Sequence, residues 1–200
     1  MTFVRSTVLA ATLGTMLGLA AWMPASRAAS TANPAPASPQ PAASSLKPGL
    51  DVRYWPYPMH NVDEVQRLAA SAGGNKGAPL PSLNYDDGIG PVMTSGLKQE
   101  VGAEITGFIK FPQAGQYQIA ANSNDGVRIF IGGAQVTDDP GIHAMGESPV
   151  GNVTVQAGVW YPLRVLYFQR HGTWGLQLLW GPAGQEDLTV VPASALARAG

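Results

Sequence analysis

The feature that most constrains this chain is the rhythm of its apolar residues from Ile105 to Trp180, short runs cut at close intervals by glycine and proline. Ile105, Gly107, Ile109 and Phe111 alternate with Thr106, Phe108 and Lys110. Pro112-Gln113-Ala114-Gly115 then turns the chain into Tyr117–Ala121, which predicts a hairpin. Val127, Ile129 and Ile131 share one face of the next strand, Arg128 and Phe130 take the other, and Gly132-Gly133 supplies a turn. Val153 and Val155 mark a further strand. Tyr161–Phe168 and Leu176–Trp180 are apolar at nearly every position, as expected of strands buried on both faces. One helix is signalled: Asn61 can cap it, Glu64 is the capping-box partner, and Val62, Val65, Leu68 and Ala69 recur at helical spacing until Gly73-Gly74. No 20-to-50-residue repeat is visible, which excludes a solenoid or propeller. The expected fold is all-β: an antiparallel, jelly-roll-like two-sheet β-sandwich with one short peripheral helix.

The ends of the chain are of a different character. Arg5, the apolar run Val8–Ala21 and the small residues of Ser26-Arg27-Ala28 read as an export signal occupying residues 1–28. Residues 29–48 carry Pro34, Pro36, Pro39, Pro41 and Pro48 among Ala and Ser, a composition expected to form an extended, mobile tether. The folded unit is expected over residues 49–197. Removal of Arg5 and Arg27 with the signal leaves ten bases against thirteen acids, a charge of −3, so the chain offers no footprint for nucleic acid. It has no cysteine, which excludes disulfides, thiolate metal sites and cysteine nucleophiles. No second apolar span follows the signal, so the mature chain is expected to have no membrane span. It would then reside in the periplasm or be secreted, where calcium is available to weak sites.

Function must come from loops that gather polar groups at one end of such a scaffold. Two connections stand out: Ser123-Asn124-Asp125-Gly126 and Gln169-Arg170-His171-Gly172-Thr173-Trp174-Gly175. Asp125-Gly126 also satisfies a tight hairpin turn, and the second stretch an exposed hairpin loop. A turn has no use for a tryptophan, so Trp174 is either folded back onto the sandwich or displayed as a stacking platform. Asp138-Asp139-Pro140 with His143 and Glu147 resembles a metal cluster but reads more simply as a long solvated loop. Asp86-Asp87-Gly88 reads as a turn. No nucleophile with its base, nor any Gly-x-Ser-x-Gly elbow, is legible, so the chain is read as a non-catalytic binder.

Gly107-Phe108-Ile109, Gly115-Gln116-Tyr117, Asn122–Gly133, Tyr161–Phe168 and Leu176–Trp180, in that order, closely resemble the protective-antigen (PA14) domain. Gly49-Leu50, Tyr54-Trp55 and Val191-Pro192 fit its two ends. The resemblance implies a β-sandwich of exported proteins that commonly binds carbohydrate. In the sugar-binding adhesins of that family, two consecutive Asp residues joined by a cis peptide hold a calcium ion, helped by an Asn and by backbone carbonyls of a second loop. The corresponding positions here are Asn124-Asp125 and Gln169, so one carboxylate is replaced by an amide. On this resemblance Asn124, Asp125 and Gln169 would hold calcium, and Arg170, His171 and Trp174 would complete a glycan site. The alternatives are a structural or protein-interaction envelope protein whose ligand site is degenerate, partnered by another envelope protein, and an accessory component of a glycoside hydrolase.

Overall fold

The computed structural model describes residues 31–71 and 73–200, so the export signal read in residues 1–28 lies outside the described residues. In chain order the elements are β1 (Thr31–Ala32), β2 (Leu46–Pro48), β3 (Asp51–Trp55), α1 (Val62–Ala70), β4 (Asn75–Lys76), β5 (Asn84–Gly88), β6 (Val101–Lys110) and β7 (Gly115–Asn124). They continue with β8 (Val127–Ile131), β9 (Ala134–Asp139), β10 (Gly146–Glu147), β11 (Gly151–Val155), β12 (Trp160–Gln169), β13 (Trp174–Pro182), β14 (Thr189–Val190) and β15 (Leu196–Ala199). One sheet has the order β1-β11-β7-β13-β14, with β10 also on β7 and β5 also on β13. The other runs β2-β15-β6-β12-β8-β9, with β3 also on β6 and β4 on β3. The two-sheet sandwich is therefore as expected.

Side-chain alternation builds the core. Val127, Ile129 and Ile131 of β8 and Val165 and Tyr167 of β12 meet Tyr117, Ile119 and Ala121 of β7 and Leu176, Leu178 and Trp180 of β13 in one buried cluster. β12 is apolar on its other face as well because Leu166 and Phe168 pack beneath α1, against Trp55, Met59, Val62 and Val65. The helix begins at Asn61, whose side chain accepts from the Asp63 N–H. Glu64 differs from the capping-box expectation: its carboxylate accepts from the backbone of His60, one residue before the cap. Arg128 fastens the helix to the sheet, donating to Asp63 and Gln66 at 2.7 Å and to both oxygens of Asp138 at 2.8 and 3.0 Å. Its guanidinium is held above its ordinary pKa chiefly by Asp138. Asp138, weighed above as part of a metal cluster, is thus an ion-pair partner in β9.

Three expected local pairings do not form. β6 and β7 lie in different sheets, so Pro112–Gly115 carries the chain across the sandwich and is no hairpin. Residues 125–126 cross back to β8, and residues 170–173 cross once more from β12 to β13. Only long-range register distinguishes such crossings from hairpins. β6 instead pairs with β12 along its whole length, Lys110↔Trp160 to Val101↔Gln169, and β7 pairs with β13 from Tyr117↔Pro182 to Asn124↔Gly175. The Gly132-Gly133 hairpin between β8 and β9 does form, with φ of 55° and 79°.

The segment expected to be a free tether is docked. β1 pairs in parallel with β11 and β2 with β15. Between them the Ala35 N–H donates to Gly132 (3.2 Å) and the Ala37 N–H to Trp160 (2.9 Å), while the Gln40 amide both donates to and accepts from the Trp160 backbone at 3.0 and 2.9 Å. A segment poor in apolar bulk is thus held by backbone hydrogen bonds. At Gly132 a Cβ would sit 2.4 Å from the Ala35 carbonyl oxygen and 2.5 Å from its nitrogen. Gly132→Ala should therefore raise amide hydrogen exchange at Ala35 and Ala37 while β12 keeps its protection, and should cost about 1–2 kcal/mol in a denaturant melt. Unchanged exchange at those two amides would count against this docking.

Candidate functional site

The pole of the sandwich at which β7 ends and β13 begins gathers most of the residues singled out from the sequence. The Asn124-Asp125 peptide is cis and follows directly on β7. From there the chain is stitched to the end of β12: Asp125 N–H donates to Phe168 O at 3.2 Å, and Phe168 N–H to Gly126 O at 3.1 Å. Gly126 is required by close approach, since a Cβ there would lie 2.6 Å from the Phe168 ring and 2.8 Å from the Gly141 carbonyl oxygen.

Asp125, 3% exposed, uses both carboxylate oxygens on backbone donors, Arg170 N–H at 2.7 Å and His143 N–H at 3.3 Å. One side chain so fixes two loops. The Asn124 amide donates to Asp87 Oδ1 at 3.3 Å and to Thr173 Oγ1 at 3.0 Å. Gln169, fully buried, donates to the Thr173 carbonyl at 3.2 Å, and its Oε1 has no hydrogen-bond partner. Asp87, Asn124, Thr173 and Gln169 therefore form a continuous polar run, with Asp125 beside it. Asp87 is the residue that the sequence reading missed: Asp86-Asp87-Gly88 lies in β5, not in a turn, and Gly88 pairs with Trp174 one step from the Gly175↔Asn124 pair.

Arg170 contributes its main chain to Asp125, and its buried Nε has no partner. His171 is exposed at the tip, with Nε2 3.1 Å from Glu100 Oε1. Trp174 takes the first of the two positions open to it: it is 8% exposed, part of the core, and its ring centroid lies 5.4 Å from that of Tyr85. It offers no stacking face to a ligand. Simple alternation carries this signal, because Trp174, Leu176, Leu178 and Trp180 have one parity along β13 and all belong to the core. In the 138–147 stretch His143 Nε2 is 3.4 Å from Asp139 Oδ2, and no group of three or more His, Cys, Asp or Glu gathers in metal-binding fashion among the described residues.

The fit to calcium rests on oxygens rather than on such a cluster. A calcium ion here would draw on the carboxylates of Asp87 and Asp125 and on neutral oxygens of Asn124, Gln169 and Thr173, of which Gln169 Oε1 is a buried acceptor with no protein donor. An all-oxygen set with two carboxylates suits a hard cation of modest affinity. As placed here, Asn124 turns its NH₂ toward Asp87, so a cation would require that amide to present its oxygen instead.

Comparison with known proteins agrees with this fold. The PA14 domain family matches residues 84–193, more than half of the chain, and the protein belongs to that family. Solved structures of similar fold include the PA14 domain of the antifreeze protein MpAFP, with TM-score 0.66 and 16% identity, covering 81% of this chain and 96% of that one. A PA14 sugar-binding domain from an RTX adhesin follows at TM-score 0.61 and 18% identity, covering 76% and 99%. The A domain of epithelial adhesin 9 from Candida glabrata, in complex with Galβ1-3GlcNAc, gives TM-score 0.64 and 14% identity, covering 84% and 97%. No protein of curated function matches by sequence.

Tyr167 secures the pole from within. Its hydroxyl donates to the Asn124 carbonyl, and burial, with Asp125 and then Asp87 adding their negative charge, pushes the phenol well above its ordinary value of 10. Tyr167→Phe removes this buried hydrogen bond and should cost about 0.5–1.5 kcal/mol in urea denaturation. In the unfolded chain the phenol ionises near pH 10, before the folded one does, so wild-type stability should fall as pH rises above that point. The variant should show a shallower alkaline decline; an unchanged slope would contradict the assignment.

Proposed function

We propose that this protein is an exported, non-catalytic carbohydrate-binding module that engages a glycan at the Asp87–Asn124–Asp125–Gln169 pole. One observation carries the reading: the polar run from Asp87 through Asn124 and Thr173 ends on a buried amide oxygen, Gln169 Oε1, that no protein group satisfies. Such an atom is costly unless something from outside completes it. Asn124, Asp125 and Gln169 are 6%, 3% and 0% exposed, so what enters is the size of an ion or a single hydroxyl rather than a chain lying in a trough. The RTX adhesin domain of similar fold is a sugar-binding domain, which supports the same ligand class. Calcium would be held by Asn124, Asp125 and Gln169, with Asp87 supplying the second carboxylate, and would offer sugar hydroxyls a positive centre to bind. His171, exposed beside them, would lie against the sugar.

Burial of Trp174 favours one second reading, a structural envelope module whose ligand site has degenerated, because it removes the aromatic platform. A glycan array probed with and without chelator separates the two. Binding lost on chelation is the expected result, and wild-type protein that binds no glycan under either condition would leave the structural reading. Asp125→Asn keeps the side chain's shape and removes its charge. Calorimetry should then show calcium and glycan affinity both weakened at least tenfold, with Asp87→Asn giving a similar loss.

A further inference from the structure

Large apolar side chains that remain exposed are few among the described residues: Tyr57, Ile89 and Ile142. A lone exposed isoleucine is ordinary, but these three lie at one end of the sandwich. Ile89, 87% exposed, is two residues beyond Asp87, whose carboxylate accepts from Asn124. Ile142, 49% exposed, immediately precedes His143, whose N–H is bonded to Asp125. Tyr57 is two residues past the end of β3, where Trp55 pairs with Gly102, itself opposite Phe168. Ile89 and Ile142 therefore stand within two residues of groups bonded to the polar cluster, while the tryptophan that could have faced a sugar ring is turned into the core.

We propose that Ile89 and Ile142 form a specificity rim that selects sugars bearing a methyl group, either the acetamido methyl of an N-acetylated sugar or the C6 methyl of a 6-deoxy sugar; this rests on the glycan reading above. The hydrogen-bonding groups recognise ring hydroxyls, which most hexoses share, and so cannot discriminate by themselves. An isoleucine side chain has no donor or acceptor. A hydroxyl placed against it loses water without replacement, whereas a methyl group gains by leaving water.

The test measures affinity for matched pairs, N-acetylglucosamine against glucose and D-fucose against D-galactose, with wild-type protein, Ile89→Ser and Ile142→Ser. Both substitutions are at exposed positions and should leave Tm unchanged. Wild type should prefer the methyl-bearing member of at least one pair by about fourfold, the value for one methyl-sized group removed from water. The pair that responds identifies which methyl is read. In the serine variants the ratio should fall toward one while affinity for the unmethylated sugar is kept. Equal affinities in wild type, or a preference that survives both substitutions, would overturn the rim while leaving glycan binding intact. Absence of binding to all four sugars would overturn it too, and if the array is also blank the glycan reading falls with it. Isoleucine-dependent sedimentation with phosphatidylglycerol vesicles, without sugar discrimination, would assign these side chains to a lipid surface instead.

Discussion

The Asp125 carboxylate organises the end of the sandwich that carries the Asp87–Asn124–Thr173–Gln169 polar run. Each of its oxygens accepts a backbone N–H, one from the 140s loop and one from the loop after β12, and its own N–H returns to Phe168. Hydrogen bonds to an ionised acceptor are among the stronger ones a protein makes, and here the donors belong to chain segments that no regular ladder connects. Without that side chain, the two loops lose the anchor they share, while the start of β8 stays laddered to β12. The polar run beside Asp125 is therefore preorganised, and a ligand arriving there need not supply the ordering energy of the two loops.

Charge at this pole is unevenly balanced. Asp87 and Asp125 are answered by amide and backbone dipoles, and their combined field is felt by the buried Tyr167 hydroxyl. Arg128, by contrast, is committed to Asp63 and Asp138 on the outer side of β8. Dipoles stabilise an anion only in part, so the two carboxylates are complementary to a cation or to a molecule that donates several hydrogen bonds, while Arg170, whose buried Nε has no partner, is a positive group at the same pole.

The features legible in the sequence are those that local physics decides. Alternation along β8, the double burial of β12, the Gly132-Gly133 turn and the Asn61 cap each depend on a few adjacent residues. Pro112–Gly115, Asp125-Gly126 and Arg170–Thr173 have the composition of hairpin turns, yet each connects opposite sheets. Glycine and proline allow a reversal but do not choose the partner strand; that choice is made by ladders such as β6 with β12, whose paired residues run from Lys110↔Trp160 to Val101↔Gln169, 50 to 68 apart in sequence. Asp87 was hidden for the same reason, thirty-seven residues from Asn124 and brought beside it by β5 pairing with β13. The Pro/Ala/Ser segment was misjudged differently. Its composition correctly excludes a core of its own, but docking here relies on main-chain groups and one glutamine, which apolar content does not register.

Trp174 links fold and recognition. Its parity along β13 places it with Leu176, Leu178 and Trp180, and an indole of that size inside the sandwich removes far more apolar area from water than it would by lying over a sugar. Packing therefore claims the residue that recognition would most readily have used. The cost is visible in its Nε1, which is buried without a partner. A site that yields its aromatic to the core in this way retains a narrow polar contact at its centre and must find any apolar complementarity at its margin. In the proposed rim of Ile89 and Ile142 that margin is aliphatic, so selectivity would come from small methyl-sized contacts rather than from stacking on a ring face.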